Sequence, residues 1–240
     1  MSETQALRAA IVGLLRCAAM EDELLIVSTA GHDSAGSAEH WAPVPIIAHN
    51  TEFKRQQVIR LEAVLHHQVP PKFTEIDHKC ERTYRTYAEM SPAVVAEDSR
   101  RTTNDLVDAL LLVPDADLTD PTRHEWLRGR PLWLQTIVRG FWHPLGHDGD
   151  WYAANAMAER GIALRRHAVA TAEYLHAPDL SRGMAWFSLA CTYALAGTTD
   201  EAVEALEHAA VLNEDLRARI ATEPDLIALR QDRRVAALIG

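Results

Sequence analysis

Cysteine is scarce in this sequence of 240 residues, which contains only Cys17, Cys80 and Cys191. The three are far apart, their number is odd, and none belongs to a Cys-x-x-Cys pair, so the sequence provides no disulfide framework. We therefore expect the cysteines to act as small apolar residues in a reducing compartment. No surrounding pattern indicates a catalytic thiol.

Long apolar runs are also missing. No uninterrupted stretch reaches the roughly 18 apolar residues that predict a transmembrane helix. The N-terminal segment has Glu3 where a signal peptide has basic residues, and Arg8 and Arg16 interrupt its apolar residues. The sequence therefore predicts an amphipathic first helix, no membrane partner and a cytoplasmic location.

Positive charge is in deficit, with a formal net charge of -10 and a sequence pI of about 5.6. A field of this sign repels nucleic-acid phosphates and anionic membrane surfaces, so we do not expect nucleic acid as a partner. The 48 % hydrophobic and 24 % charged content is typical of a globular protein. The abundance of arginine and alanine suggests a bacterium with a GC-rich genome.

Helical periodicity dominates what is present, and it predicts an all-α fold. Apolar spacings of three and four residues predict four long helices, over residues 3–29, 41–67, 91–113 and 131–176. Pro43 and Pro45 suit the first turn of the second helix, where missing amide donors do no harm. The face of the third helix predicted to point inward comprises Val94, Val95, Leu106, Val107, Leu110 and Leu111.

Two histidines four positions apart, His143 and His147, are the strongest chemical signal. On a helix they share one face and can hold one metal ion from one side. A third ligand must come from elsewhere, and His49, near the start of the second helix, is the best candidate. Pro144 stands where zinc proteases place a glutamate, which excludes a metalloprotease.

Glycine and proline crowd this pair, because Gly140, Pro144, Gly146 and Gly149 lie within ten positions. An interior proline removes an amide donor and clashes with the preceding turn, at about 3 kcal/mol. We therefore expect the fourth helix either to break at Gly140 and restart at His143, or to be kinked there.

Three imidazoles would leave a coordination position open on a divalent metal, for which Zn²⁺ is favoured over Ni²⁺ and Fe²⁺. Glu52 is a candidate for a fourth ligand or for a hydrogen-bond acceptor behind a ligand.

Candidate pocket walls are Tyr84, Tyr87, Trp142 and Trp151, although plain packing explains each aromatic as well. The segment 73–90, which holds both tyrosines, is predicted to be irregular or a short helix over the site. No catalytic residue is predicted, and His32 and His40 suit a solvated loop.

The C-terminal quarter carries a different pattern. Its residues follow the spacing of a tetratricopeptide repeat at Trp186, Leu189, Tyr193, Ala202, Leu206 and Ala209. One copy cannot bury its apolar face unaided, so we expect it to pack against the preceding helices or to recruit a protein partner. The predicted domains are residues 1–177, and residues 178–240 with a capping helix at the end.

Residues 3–176 resemble the DinB/YfiT-like superfamily. The resemblance lies in the order of elements, in Ala48-His49-Asn50-Thr51-Glu52-Phe53 and in Trp142-His143-Pro144-Leu145-Gly146-His147. It implies an up-down four-helix bundle in which His49, His143 and His147 bind a divalent metal. Members include transferases and isomerases that use mycothiol or bacillithiol, and small-molecule hydrolases.

The resemblance implies a metal-dependent enzyme that acts on a small electrophile with a low-molecular-weight thiol, or with water. A non-catalytic metalloprotein that recruits a partner through its repeat is the alternative hypothesis. A bundle whose histidines are only structural is a third. Homodimerisation through the bundle faces is left open.

Overall fold

The computed structural model describes residues 2–28, 36–37, 40–73 and 81–240, and every regular element within those ranges is helical. The all-α prediction is therefore confirmed. His40 is exposed, as predicted, whereas His32 and Cys80 lie outside the described residues. Two compact units divide the chain, Met1–Asp148 and Gly149–Gly240. The domain boundary predicted after residue 177 stays a prediction about which segments fold independently.

Among its described residues, the first unit contains seven α-helical or 3₁₀ segments, one π-helical turn and the first half of a further helix. They are α1 (Glu3–Ser28), α2 (Pro43–Leu65), α3 (Glu81–Ala88), α4 (Pro92–Leu112), α5 (Asp115–Thr119), a 3₁₀ turn (Glu125–Leu127), α6 (Leu132–Ile137) and, after a π-helical turn (Val138–Trp142), α7 (His143–Ala154). Both prolines lie in the first turn of α2, as predicted. The division between the units falls within α7.

The core of the first unit lies where α2 and α1 pack against α4 and the π-helical turn packs against α1 and α2. Gly140 makes the last approach possible. A Cβ atom there would overlap Leu15 Cδ2 and lie 3.0 Å from Leu106 Cδ2. The glycine therefore lets the backbone of the turn lie directly on the side chains of α1 and α4, which fixes the start of α7.

The inward face of α4 differs from the prediction at both ends. Val94 is 56 % exposed and Leu111 is 53 % exposed. The buried face instead includes Ser99, Thr102 and Thr103, which are polar. Periodicity assigned apolar side chains to the core, and it had no means of recognising a polar residue such as Ser99, whose hydroxyl donates to the buried Asp22 carboxylate.

The predicted fourth helix is interrupted twice, and the prediction that it continues from His143 to about residue 176 is wrong, because α7 ends at Ala154 and α8 begins at Ala158. The π-helical turn precedes His143, which resembles the kink expected there more than a complete break. A second interruption follows α7, where Ala156 has a φ of 62°. A residue other than glycine in the left-handed conformation has no signature in the amino-acid sequence, so the sequence did not reveal where α7 ends.

The second unit contains five helices and a 3₁₀ segment. Beyond the end of α7 these are α8 (Ala158–Tyr174), α9 (Asp179–Leu195), α10 (Thr199–Leu212), α11 (Leu216–Thr222), the 3₁₀ segment (Pro224–Leu229) and α12 (Arg233–Ile239). The turn between α9 and α10 uses Gly197 at a φ of +78°. This conformation suits glycine at the C-terminal end of a helix, and it turns the chain so that α10 packs on α9.

Five of the six residues that match the repeat pattern are buried between α9, α10 and their neighbours, and Trp186 is half-buried. Trp186 stacks on His208 at 4.5 Å between ring centroids and donates its indole N–H to Glu173 at 3.2 Å. α8 also packs on α9. The hairpin of α9 and α10 therefore buries its apolar face within the second unit.

None of the helices in the described ranges is long and apolar enough to cross a membrane.

Candidate metal centre

The three predicted histidines lie together in the first unit. His49 is in the second turn of α2 and is fully buried, whereas His143 and His147 occupy the first two turns of α7 and are half-buried. One ring nitrogen of each lies within 4.8 Å of the others. The Nε2 atoms of His49 and His143 are 3.1 Å apart. Three imidazoles thus converge on one point with one side towards the surface.

The π-helical turn supplies the register of the histidine pair. The backbone N–H of His143 donates to the carbonyl of Val138, five residues earlier, which is the hydrogen bond of a π turn. Pro144 then falls in the first turn of α7, where a missing amide donor costs least. The chain therefore accommodates the proline without losing the helix that carries both histidines.

The distance between the Nε2 atoms of His49 and His143 fits two ligands of one divalent ion. Two imidazole nitrogens bound to Zn²⁺ at about 2.0–2.1 Å lie about 3.3–3.4 Å apart at the tetrahedral angle, and about 2.8–3.0 Å apart at a right angle. The observed 3.1 Å lies between these values. Neutral imidazole is also a good ligand for Zn²⁺, Ni²⁺ and Fe²⁺. These three residues could hold a metal ion.

Aromatic side chains surround the histidines. Phe53, one turn after His49, stacks on His143 with ring centroids 4.0 Å apart and an interplanar angle of 18°. Trp41 packs edge-on against His49 at 5.5 Å. Tyr84 of α3 contacts Trp41 at 6.0 Å. These contacts restrict the ring orientations of two of the three histidines.

A buried ion pair connects α2, the helix that carries His49, with α1. Lys54 and Asp22 are 0 % and 1 % exposed, and Lys54 Nζ is 2.6 Å from Asp22 Oδ2. The hydroxyl of Ser99 donates to the same oxygen at 2.8 Å. Such a pair is stable in a core only when hydrogen bonds satisfy both charges. It joins α1, α2 and α4.

Asn50 extends this buried network towards the histidines, because it follows His49 directly. Its side-chain N–H group lies 3.3 Å from Asp148 Oδ1 and 3.5 Å from Asp22 Oδ1. Asp148 follows His147 and is fully buried. Burial first, and then the charge of Asp22, raises the pKa of the Asp148 carboxyl well above its usual value. The hydrogen bond between Asn50 and Asp148 thus joins the residues that directly follow His49 and His147.

The remaining predicted site residues have separate roles. Glu52 forms an ion pair with Arg55 at 2.7 Å. Burial and the charge of Glu52 raise the pKa of the half-buried Tyr87. Trp142 is half-buried, and its indole N–H is buried without an acceptor among the residues that the structure describes. Trp151 belongs to the second unit, where it contacts Tyr152 edge-on at 5.7 Å.

The sequence did not reveal the buried polar residues or Trp41. Lys54 and Asp22 are charged residues on amphipathic helices, and such residues usually face solvent. Two features of α2 were visible in the sequence: Phe53 lies one turn from His49, and polar residues occur on both faces of the helix. A helix with that composition buries some of its polar side chains.

Comparisons with known protein families, with curated proteins and with solved structures found no match. The resemblance to the DinB/YfiT-like superfamily therefore rests on the motifs around the three histidines.

Proposed function

We propose that the protein is a metal-dependent enzyme of the DinB-like type, in which His49, His143 and His147 bind one divalent cation, with Zn²⁺ favoured. The convergence of three imidazole nitrogens within 4.8 Å carries this proposal. Histidines that only fill a core do not need to direct their nitrogens at one point. A protein with three neutral ligands leaves further coordination positions for water or substrate.

The reaction we propose is the addition of a thiol, mycothiol-like in chemistry, or of water to a small electrophile. A bound divalent cation would supply Lewis acidity and would favour the deprotonated form of a thiol or water. The chain would contribute orientation, because Phe53 holds the His143 ring by stacking and Trp41 holds that of His49. The half-exposed His143 and His147 mark the side on which a small molecule would enter.

The fold proposed for this enzyme is a four-helix bundle formed by α1, α2, α4 and the segment from α6 to α7. The packing of α1 and α2 on α4, and of the π-helical turn on α1 and α2, supports this arrangement. We further propose that α9 and α10 form a tetratricopeptide-like hairpin with α11 and α12 as its cap.

Elemental analysis of purified, untagged protein tests the metal site. We expect about one equivalent of metal in the parent and little in the His49→Ala and His143→Ala variants, with an unchanged far-UV spectrum. His66→Ala is the matched control, because His66 is exposed at the end of α2 and should leave the metal content unchanged. Full metal content in His143→Ala would contradict the assignment.

A scaffold that recruits a protein partner is the second candidate function. It is supported by large apolar side chains that stay exposed in the second unit, among them Tyr174, Leu195 and Val211, at 74 %, 60 % and 85 %. Thiol transfer by the metal-loaded protein, absent from His143→Ala, would favour the enzyme. Full metal content with no activity towards any thiol and electrophile would favour the scaffold.

A further inference from the structure

Helix α1 buries one face, and the face that it exposes carries very little charge. The exposed residues between positions 6 and 27 are Ala6, Ala9, Gly13, Arg16, Met20, Leu24 and Val27. Only one of these seven, Arg16, is charged. The solvent face of an amphipathic helix normally consists of charged and polar residues, and an exposed apolar patch marks a contact surface. The exposed face of α1 therefore has the composition of an interface.

This face also contains a heptad pattern. Alternating steps of four and three residues connect small and apolar side chains along α1, which we call the outer seam: Ala6, Ala10, Gly13, Cys17, Met20, Leu24 and Val27. From its first residue to its last, the outer seam is about 32 Å long at about 1.5 Å per residue. A repeat of 3.5 residues keeps such a seam in contact with a second helix along its whole length, as in coiled coils. The pattern thus indicates that the partner is another helix.

The two halves of the outer seam differ in size. Only alanine and glycine precede Cys17, whereas Met20, Leu24 and Val27 follow it and are 64 %, 46 % and 70 % exposed. A Cβ atom on Gly13 would have nothing within 4 Å, so the first half has room for large side chains. A second α1 that runs antiparallel to the first would place its large half over this small half.

One antiparallel register satisfies the whole outer seam. It places Gly13 opposite the partner's Leu24. The same register places Ala10 opposite the partner's Val27, and the two-fold axis repeats both contacts on the other half of the seam. Every layer then combines one small or medium side chain with one large side chain, which is how the layers of two helices interdigitate.

The same register also brings opposite charges together. Arg16 and Glu23 flank the outer seam on one side, because they directly precede Cys17 and Leu24. In an antiparallel pair of heptads these flanking positions face each other, so Arg16 meets the partner's Glu23 and the contact occurs twice. Glu23 already accepts from Arg100 of α4 at 2.9 Å, and a carboxylate has room for a second guanidinium.

We propose that α1 is the interface of a symmetric homodimer, in which two copies of the helix pack antiparallel along the outer seam. A second copy of the chain is the occupant that the observations favour. An isologous interface must be complementary to itself, and the outer seam is so in both size and charge. The binding of a different protein requires neither property. This surface goes beyond the proposed metal function and does not depend on it.

Sedimentation equilibrium of the full-length protein over a wide range of concentrations tests the dimer. We expect a mass that approaches twice the 26.7 kDa of one chain. Leu24→Glu should weaken dimerisation about a hundredfold or more, because each subunit then places a carboxylate in an apolar interface. The far-UV spectrum should be unchanged. If it changes, Met20→Glu provides the same test at a residue that is 64 % exposed.

The matched control is Val94→Glu. Val94 is 56 % exposed on α4, where it lines a groove with Arg55 of α2, and its replacement should leave dimerisation unchanged. A parent that stays monomeric at every concentration would overturn the proposal and would leave the outer seam to a different partner. A dimer that survives both seam variants would also overturn it.

Charge reversal tests the register. Arg16→Glu and Glu23→Arg should each weaken dimerisation about tenfold, because each sets like charges opposite one another at two symmetric places. The double variant, Arg16→Glu with Glu23→Arg, should recover to within about threefold of the parent, since both pairs form again with their signs exchanged. Dimerisation of the double variant that is weaker than that of either single variant would overturn the antiparallel arrangement.

Discussion

Replacement of Lys54 by methionine should be among the most destabilising single substitutions in the first unit. The change removes the ammonium that lies 2.6 Å from Asp22 Oδ2, and it leaves a carboxylate that is 1 % exposed without its counter-ion. Breaking a buried pair in this way costs about 3–5 kcal/mol. The donors that remain, the Ser99 hydroxyl at 2.8 Å and the Asn50 amide at 3.5 Å, offset only part of that loss. Against a typical total of about 5–15 kcal/mol, the variant should be marginally folded.

The measurement is urea unfolding of metal-free protein, followed by circular dichroism, with slopes compared to confirm that the same structure unfolds. Asp22→Asn in the Lys54→Met background removes both charges and keeps an acceptor for Ser99. This double variant should recover at least about 2 kcal/mol, since loss of an entire buried pair is often nearly neutral. The control is Arg101→Met, which breaks an exposed pair and should cost no more than about 1 kcal/mol.

Two results would refute this reasoning. A cost below about 1 kcal/mol for Lys54→Met would mean that the pair is hydrated rather than buried. A double variant no more stable than Lys54→Met would mean that the loss comes from packing of the lysine side chain, and not from the orphaned carboxylate.

Three further predictions concern the second unit and α1. Gly161→Ala should cost at least about 1 kcal/mol in urea unfolding, because its Cβ would lie 2.6 Å from the backbone oxygen of Gly149, whereas Gly13→Ala on α1, with nothing within 4 Å, should stabilise by up to about 1 kcal/mol. Gly197→Ala should cost about 1–2 kcal/mol from its φ of +78° alone, and a neutral result would contradict the left-handed turn. Cys191 should react with Ellman's reagent at pH 8 only after unfolding, because burial raises the pKa of its thiol to about 12 and leaves roughly one thiolate in ten thousand.

Much of the helical content could be predicted from periodicity. The ends of α1, α2 and α4 differ from the predicted ranges by no more than two residues, because an amphipathic stripe is a strong local signal, reinforced by proline at the start of α2 and at both ends of α4. The convergence of the three histidines was predictable for a related reason. His143 and His147 are neighbours on any helix, and only the position of His49 required knowledge of how helices pack.

The rest of the site depends on contacts between residues distant in the chain. Asp22, Lys54 and Ser99 come from three helices, and each looks like a solvated residue on its own helix. Their burial follows from the packing of α1 and α2 on α4, which local sequence does not encode. The interruption at Ala156 is hidden for a different reason, since alanine rarely adopts a positive φ and gives no warning of it.

The π-helical turn before His143 has a consequence for how the metal site can change during evolution. A π turn holds one residue more than the α-helical turn it replaces, so it is a place where a helix can gain or lose a residue. Loss of one residue between Val138 and Trp142 would rotate α7 by about 100° relative to α6. His143 and His147 would then turn away from His49 together. Homologous chains that keep all three ligands should therefore keep this length, even where the residues within the turn differ.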